Sequence, residues 1–158
     1  RLLLKFFISQ ANRGYLNGLA SEMGESTNSI RKELNHLQLA GYLKKIKVDN
    51  KIEYKANTNH PMFEVLQKVV FKHLGLEDVV ENVLERIGNV KQIIVVGDYA
   101  QGKDSGLIEI FLIGKELNME YINQIENKIE KLIGRKVNFY LSSKFNPNQN
   151  HIVLYETI

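Results

Sequence analysis

The 158-residue sequence has no cysteine. That excludes disulfides and thiolate metal sites, and it suits a reducing, cytoplasmic setting. No stretch approaches the ~18 consecutive apolar residues of a membrane span, so no membrane partner is expected. The opening Arg1–Ile8 is apolar, yet Lys5 interrupts it and no small-residue cleavage site follows. It reads as a core helix and not as a leader peptide. Because the chain opens on Arg1 and not on Met, a few residues are expected to precede it. The four histidines, His36, His60, His73 and His151, show no metal-ligand spacing. No Ser/His/Asp set can be assembled, and no convincing Gly-x-Gly phosphate loop is present. No catalytic residue, metal or cofactor is assigned on these grounds.

What the chain does contain is the balance of a soluble globular protein, 44% apolar and 25% charged residues. Its length permits one domain or two small ones. The net charge of +3 conceals an asymmetry. Residues 1–60 carry ten Lys/Arg against five Asp/Glu, whereas the remainder carries eleven against thirteen. A basic front and a mildly acidic rear point to a nucleic-acid surface confined to the front.

The stretch from Tyr15 to Tyr54 organises that front. Leu16, Leu19, Ala20 and Met23 form the inner stripe of a short helix, and Gly24 suits the left-handed position that closes it. Ser26 is a good N-cap for the next helix. There Ile30, Leu34, Leu37 and Ala40 or Gly41 recur at helical spacing and face the core. Ser26, Thr27, Asn28, Ser29, Arg31, Lys32 and Asn35 are left at its start and on its outer side. Such groups, at the N-terminal end of a helix, reach base edges and phosphates when the helix enters a major groove. A hairpin follows, Tyr42 to Val48 and Lys51 to Tyr54, turned at Asp49-Asn50. Ile46, Val48, Ile52 and Tyr54 alternate with lysines, so one face is expected to pack and the other to stay charged. Lys45, Lys47, Asn50 and Lys51 would lie on flanking phosphates. The alternative is an edge hairpin guarded by lysines against aggregation. A first helix, with Leu2, Leu3, Phe6 and Phe7 inward, completes this half.

Ser26 to Leu43, with Leu34, Leu37 and Ala40-Gly41-Tyr42-Leu43 in sequence, resembles the recognition-helix signature of ArsR-like winged helix-turn-helix regulators. The resemblance covers about residues 1–58. It implies a homodimeric transcriptional regulator that reads a two-fold-related operator on double-stranded DNA. The thiolate sensor of the metal-responsive members has no counterpart here. Residues 59–76 form a linker and helix, started by Pro61, whose apolar girth (Phe63, Leu66, Val69, Val70, Phe71, Leu74) suits a dimer interface.

Residues 77–158 read as an amphipathic helix to Ile87, a strand Val90–Val96, a glycine-containing loop, a strand Leu107–Ile113, a helix Asn118–Ile133 and two further strands. This α/β order, with a small mixed sheet, resembles the minimal nucleotidyltransferase fold. The chain as a whole is thus expected to be α+β. In that family a Gly-Ser turn holds phosphates and an Asp-x-Asp pair binds two metals. Here Gly97 keeps the glycine, Asp98 stands in place of the serine, Glu109 takes the second carboxylate position and Leu107 the first. One carboxylate does not hold a metal pair, so the resemblance implies a degenerate nucleotide site (Gly97, Asp98, Glu109) in a domain without catalysis. Such a domain would sense a small-molecule or nucleotide effector, or serve assembly. Two alternatives remain: an active nucleotidyltransferase using Asp98, Asp104 and Glu109 as metal ligands, and a winged helix used for protein contact.

Overall fold

A computed structural model describes residues 1–157. The chain divides into two compact units, Arg1–Val70 and Phe71–Ile158, a division that falls inside the 59–76 segment. The architecture is mixed α+β, with seven helices and two small sheets among the described residues.

In the first unit the order is α1 (Leu2–Phe7), β1 (Arg13–Tyr15), α2 (Leu16–Met23), α3 (Thr27–Leu39), β2 (Leu43–Val48) and β3 (Lys51–Ala56). A further helix, α4 (Phe63–Leu74), begins in this unit and runs into the next. Helix α1 is buried on nearly every side. Phe6 and Phe7 are fully enclosed, and the Phe7 ring meets Phe63 at 5.5 Å and Tyr42 at 6.5 Å. Each such ring contributes roughly 1.5–3 kcal/mol by leaving water. Leu3, expected inside, is 41% exposed, and Leu4 is buried instead.

The strand β1 has only three residues and no periodicity to announce it. It pairs antiparallel with β3, giving a three-stranded sheet in the order β1-β3-β2. The hairpin turn is tight. Asp49 and Asn50 both have positive φ, 48° and 64°, as a two-residue hairpin turn of matching twist demands. That turn pairs Val48 with Lys51, so an even-numbered residue on one strand always faces an odd-numbered one on the other. The expected apolar stripe of Ile46, Val48, Ile52 and Tyr54 is all even and therefore cannot share one face. Instead Leu43, Lys45 and Lys47 share a face with Ala56, Tyr54 and Ile52, while Ile46 and Val48 share the other with Lys44, Lys51, Glu53 and Lys55. The first face is the inward one near its root, where Leu43, Tyr54 and Ala56 are buried. Towards the tip Ile46 and Ile52 are 42% and 48% exposed.

The second unit contains α5 (Leu76–Arg86), β4 (Asn89–Val96), α6 (Gly97–Ala100), β5 (Leu107–Lys115), α7 (Met119–Ile133), β6 (Lys136–Ser142) and β7 (Ile152–Glu156). Its four-stranded sheet runs β6-β5-β4-β7. β4 is antiparallel to β5 and β7, and β5 is parallel to β6 across the α7 crossover. Asn118 caps α7 by accepting the Tyr121 amide at 3.1 Å, and Gly134, in the left-handed region, ends it. Alternation sorts the strands: Ile93, Val95, Ile108 and Ile110 fill one side of the sheet with the inner faces of α5 and α7. Ile94, Val96 and Ile113 fill the other, covered by Phe111 and by Phe145 from the loop between β6 and β7. Gly75 joins α4 to α5 at φ 78°, where a Cβ would fall 2.3 Å from Ile133 Cγ2.

Candidate nucleic-acid interface

The turn between α2 and α3 is built by local chemistry. Gly24 adopts φ 63° and closes α2, its amide reaching the Ala20 and Ser21 carbonyls. Ser26 then accepts the Ser29 amide at 3.2 Å and starts α3. Ser26 Oγ is therefore engaged in capping, and the Ser29 hydroxyl is directed towards Glu25. Ile30 and Leu34 are fully buried and fix the rotation of α3. Leu37 is half-buried and Ala40 exposed, so the inner stripe ends sooner than the spacing predicts.

This rotation leaves Ser26, Thr27, Asn28, Ser29, Arg31, Lys32 and Asn35 exposed, and the hairpin leaves Lys45, Lys47, Asn50 and Lys51 exposed. Five of these eleven line one cleft of about 610 Å³: Arg31 and Asn35 from α3, and Lys45, Asn50 and Lys51 from the hairpin. Lys47 lies on the same hairpin face as Lys45, nearer the tip. Ser26, Thr27, Asn28, Ser29 and Lys32 stand outside the cleft, at or near the start of α3.

Sequence reasoning missed Tyr15, Asn17 and Tyr54, which also line it. The Tyr15 hydroxyl donates to Glu53 Oε2 at 3.0 Å, and the Lys51 ammonium stands 5.8 Å over its ring. The bond to Glu53 raises the phenol's pKa above its ordinary value and keeps it a donor. Glu53 also pairs with Arg13 at 3.1 Å. The Glu53 carboxylate of β3 thus binds both polar side chains of β1, Arg13 and Tyr15. No signal in the sequence marks the three-residue strand that makes this possible.

The carboxylates of the second unit do not form a site together. Asp98 is exposed at the start of α6. Asp104 is taken by Arg135, through Nε at 3.0 Å and Nη2 at 2.9 Å, and it also accepts the Tyr99 hydroxyl. Glu109 lies against Gly97, where a Cβ would come 2.1 Å from Oε2, and its Oε1 accepts the Tyr140 hydroxyl at 3.2 Å. The alternative metal set Asp98, Asp104 and Glu109 is not brought together. Among the described residues no group of three or more His, Asp or Glu is placed to hold an ion.

The Asp104 carboxyl is held below its usual pKa, chiefly by Arg135, with burial opposing and Tyr99 assisting. Tyr99 is pushed up, first by burial and then by its bond to Asp104. A depressed carboxylate stabilises the fold above its unfolded pKa of about 3.9 and loses that contribution as pH falls through the lower folded value. Asp104→Asn is therefore expected to lower stability at pH 6 and to match the parent at strongly acidic pH. Chemical denaturation along a pH series measures this. With Asp104 side chain 37% exposed, screening limits the difference to about 1 kcal/mol.

A scan against protein-family models finds no match, and a search of the curated proteins finds no relative. Among solved structures, the chain is similar to the AntR antimony-specific transcriptional repressor, at 18% identity and a TM-score of 0.38, over 51% of this chain and 68% of that one. At that score the likeness sets neither the fold nor the function of this chain. No helix among the described residues is long and apolar enough to cross a membrane.

Proposed function

We propose that this chain is a DNA-binding transcriptional regulator, with Arg1–Val70 as a winged helix-turn-helix of ArsR-like kind. One observation carries the reading. The outer face of α3 and the lysine-bearing hairpin meet at a single cleft, with buried Ile30 and Leu34 setting the first and the Asp49-Asn50 turn the second. A helix bearing amides, hydroxyls and a guanidinium beside a strand pair bearing lysines suits a major groove flanked by its phosphates.

The working form is a homodimer on an inverted-repeat operator. Met62, Val65 and Val69 support this: they recur at i, i+3 and i+7 along α4 and its approach and are 42%, 48% and 56% exposed. The second unit is a nucleotidyltransferase-like domain without catalysis, serving ligand sensing or assembly. Its support is the order β4, short helix at Gly97, antiparallel β5, then parallel β6, together with the dispersal of its carboxylates. The setting is the cytoplasm.

The test is selection from random duplex DNA at two salt concentrations. The expected product is an inverted repeat with half-sites about one helical turn, roughly 34 Å, apart. Recovery of unselected DNA that is lost at moderate salt would refute a sequence-reading regulator. A single unrepeated site, with light scattering that stays monomeric at every concentration, would remove the dimer alone.

A further inference from the structure

We infer that Arg31 is the residue through which this protein reads sequence, that the base it reads is guanine, and that Asn28 is its positioning residue. The inference rests on the DNA-binding reading above and adds the chemistry of the ligand to it.

Asn28, Arg31 and Asn35 stand at i, i+3 and i+7 on α3 and form one exposed stripe, one turn over another. Within it the Arg31 Nη1 donates to Asn28 Oδ1 at 2.9 Å. Helical side chains lean towards the N-terminus of their helix, and this bond holds the guanidinium in that direction. The N-terminal end of a recognition helix is the end that meets base edges.

Arg31 is also distinct from the other arginines of its unit. Arg1 donates to the Met23 carbonyl and Arg13 is paired with the Glu53 carboxylate. Arg31 has an amide as its partner, so its charge is not neutralised, and it stands exposed on the surface where the lysines gather. A bond through Nη1 leaves the edge formed by Nε and Nη2, two parallel donors in a plane. Guanine presents two acceptors, O6 and N7, at matching spacing in the major groove, and no other base does. A lysine ammonium can also donate to O6 and N7, but without the planar fork. Lys32, the next residue round the helix, stands off the Asn28–Arg31–Asn35 stripe and outside the cleft.

Asn28 bears on the same step in two ways. It reduces the rotamer freedom that Arg31 would lose on docking. By committing Oδ1 to Arg31 it also gives up the paired acceptor and donor with which an asparagine reads adenine. Its part is to hold Arg31, not to read a base.

The experiment uses the full chain and a duplex recovered by selection, with each guanine of a half-site replaced in turn by 7-deazaguanine, which lacks the N7 acceptor. One guanine per half-site is expected to be sensitive, with about a tenfold loss for the unaltered protein. Arg31→Ala should be insensitive at that position. Arg31→Lys should keep its affinity for random duplex and lower the discrimination severalfold, because an ammonium reaches O6 and N7 without the planar fork. Asn28→Ala should keep the same preferred base with discrimination lowered severalfold.

The inference is overturned if no guanine is sensitive, or if Arg31→Ala weakens operator and random DNA equally, which would make Arg31 a phosphate contact. Tighter and more selective binding by Asn28→Ala would overturn the positioning role, because Asn28 would then be restraining Arg31. Duplex binding without any sequence preference would end the inference yet leave a DNA-binding surface standing. Failure to bind duplex at all would end the parent reading as well.

Discussion

Simultaneous replacement of Lys45, Lys47 and Lys51 by alanine is expected to flatten the salt dependence of DNA binding more than any other change confined to the surface. Each phosphate contact contributes about 0.9 to the slope of log affinity against log salt, so three lysines account for about 2.7 per protomer. Between 50 and 200 mM salt, that slope corresponds to roughly a fortyfold loss of affinity, which the triple variant would no longer show. The strand register supplies the control. Lys44 and Lys55 are paired with each other on the face opposite Lys45 and Lys47, with Ile46, Glu53 and Lys51; of that face only Lys51, beside the turn, lines the cleft. Their joint replacement removes two positive charges but should leave the slope nearly as it was. Titrations of one duplex at four or five salt concentrations give both slopes. If the Lys44/Lys55 variant loses as much slope as the triple variant, the DNA does not follow the cleft side of the hairpin.

The second large effect is expected inside. Leu34 is fully buried and, with Ile30, sets which side of α3 faces outward. Leu34→Ala should destabilise the first unit by about 2–5 kcal/mol, from lost transfer energy and from the cavity left behind. Native domains hold only about 5–15 kcal/mol in all. For a unit of this size each kcal/mol moves the midpoint by roughly 4–8 °C, so a fall of at least about 8 °C is expected. Calorimetry measures it. DNA affinity should fall with temperature well before that of the parent, because the exposed stripe is presented only while the inner one is packed. A Leu34→Ala protein that melted within a degree or two of the parent would show that α3 is held by something other than its core face.

Much of this architecture was legible because its elements are strongly periodic. Leu16, Leu19, Ala20 and Met23 locate α2, Ile30 and Leu34 locate α3, and the β-branched run from Val90 to Val96 locates β4. Capping residues marked two of the ends, Gly24 closing α2 and Ser26 starting α3, whereas the caps of α7 at Asn118 and Gly134 are evident only in the structure. The failures are equally physical. β1 is too short to have a period and exists because β3 offers it a partner. The four-residue α6 arises from the turn at Gly97 and carries no apolar stripe of its own. The hairpin's faces differ from the expected ones because alternation along each strand alone does not fix them; pairing across a two-residue turn decides which residues stand together. Within the interface, residue types were readable from the sequence. The meeting of Arg31 and Asn35 with Lys45, Asn50 and Lys51 was not, since it depends on how the hairpin folds back beside α3. The fate of Asp104 was hidden too, for Arg135 lies 31 positions away and nothing in either neighbourhood announces the pair.

The Asp49-Asn50 turn has a consequence for how this surface can vary. Strand β2 is anchored by buried Leu43 and strand β3 by buried Tyr54 and Ala56. With both ends held, the number of residues between them acts as a parity bit. Adding or deleting one residue would oblige either the anchors to turn outward or the outer half of the hairpin to bulge, and Lys45 and Lys47 would part company with the α3 side. Substitutions along the strands leave that bit untouched. A lineage descended from this chain is therefore free to redistribute lysines along the hairpin, but not to change its length by a single codon without repairing the register elsewhere.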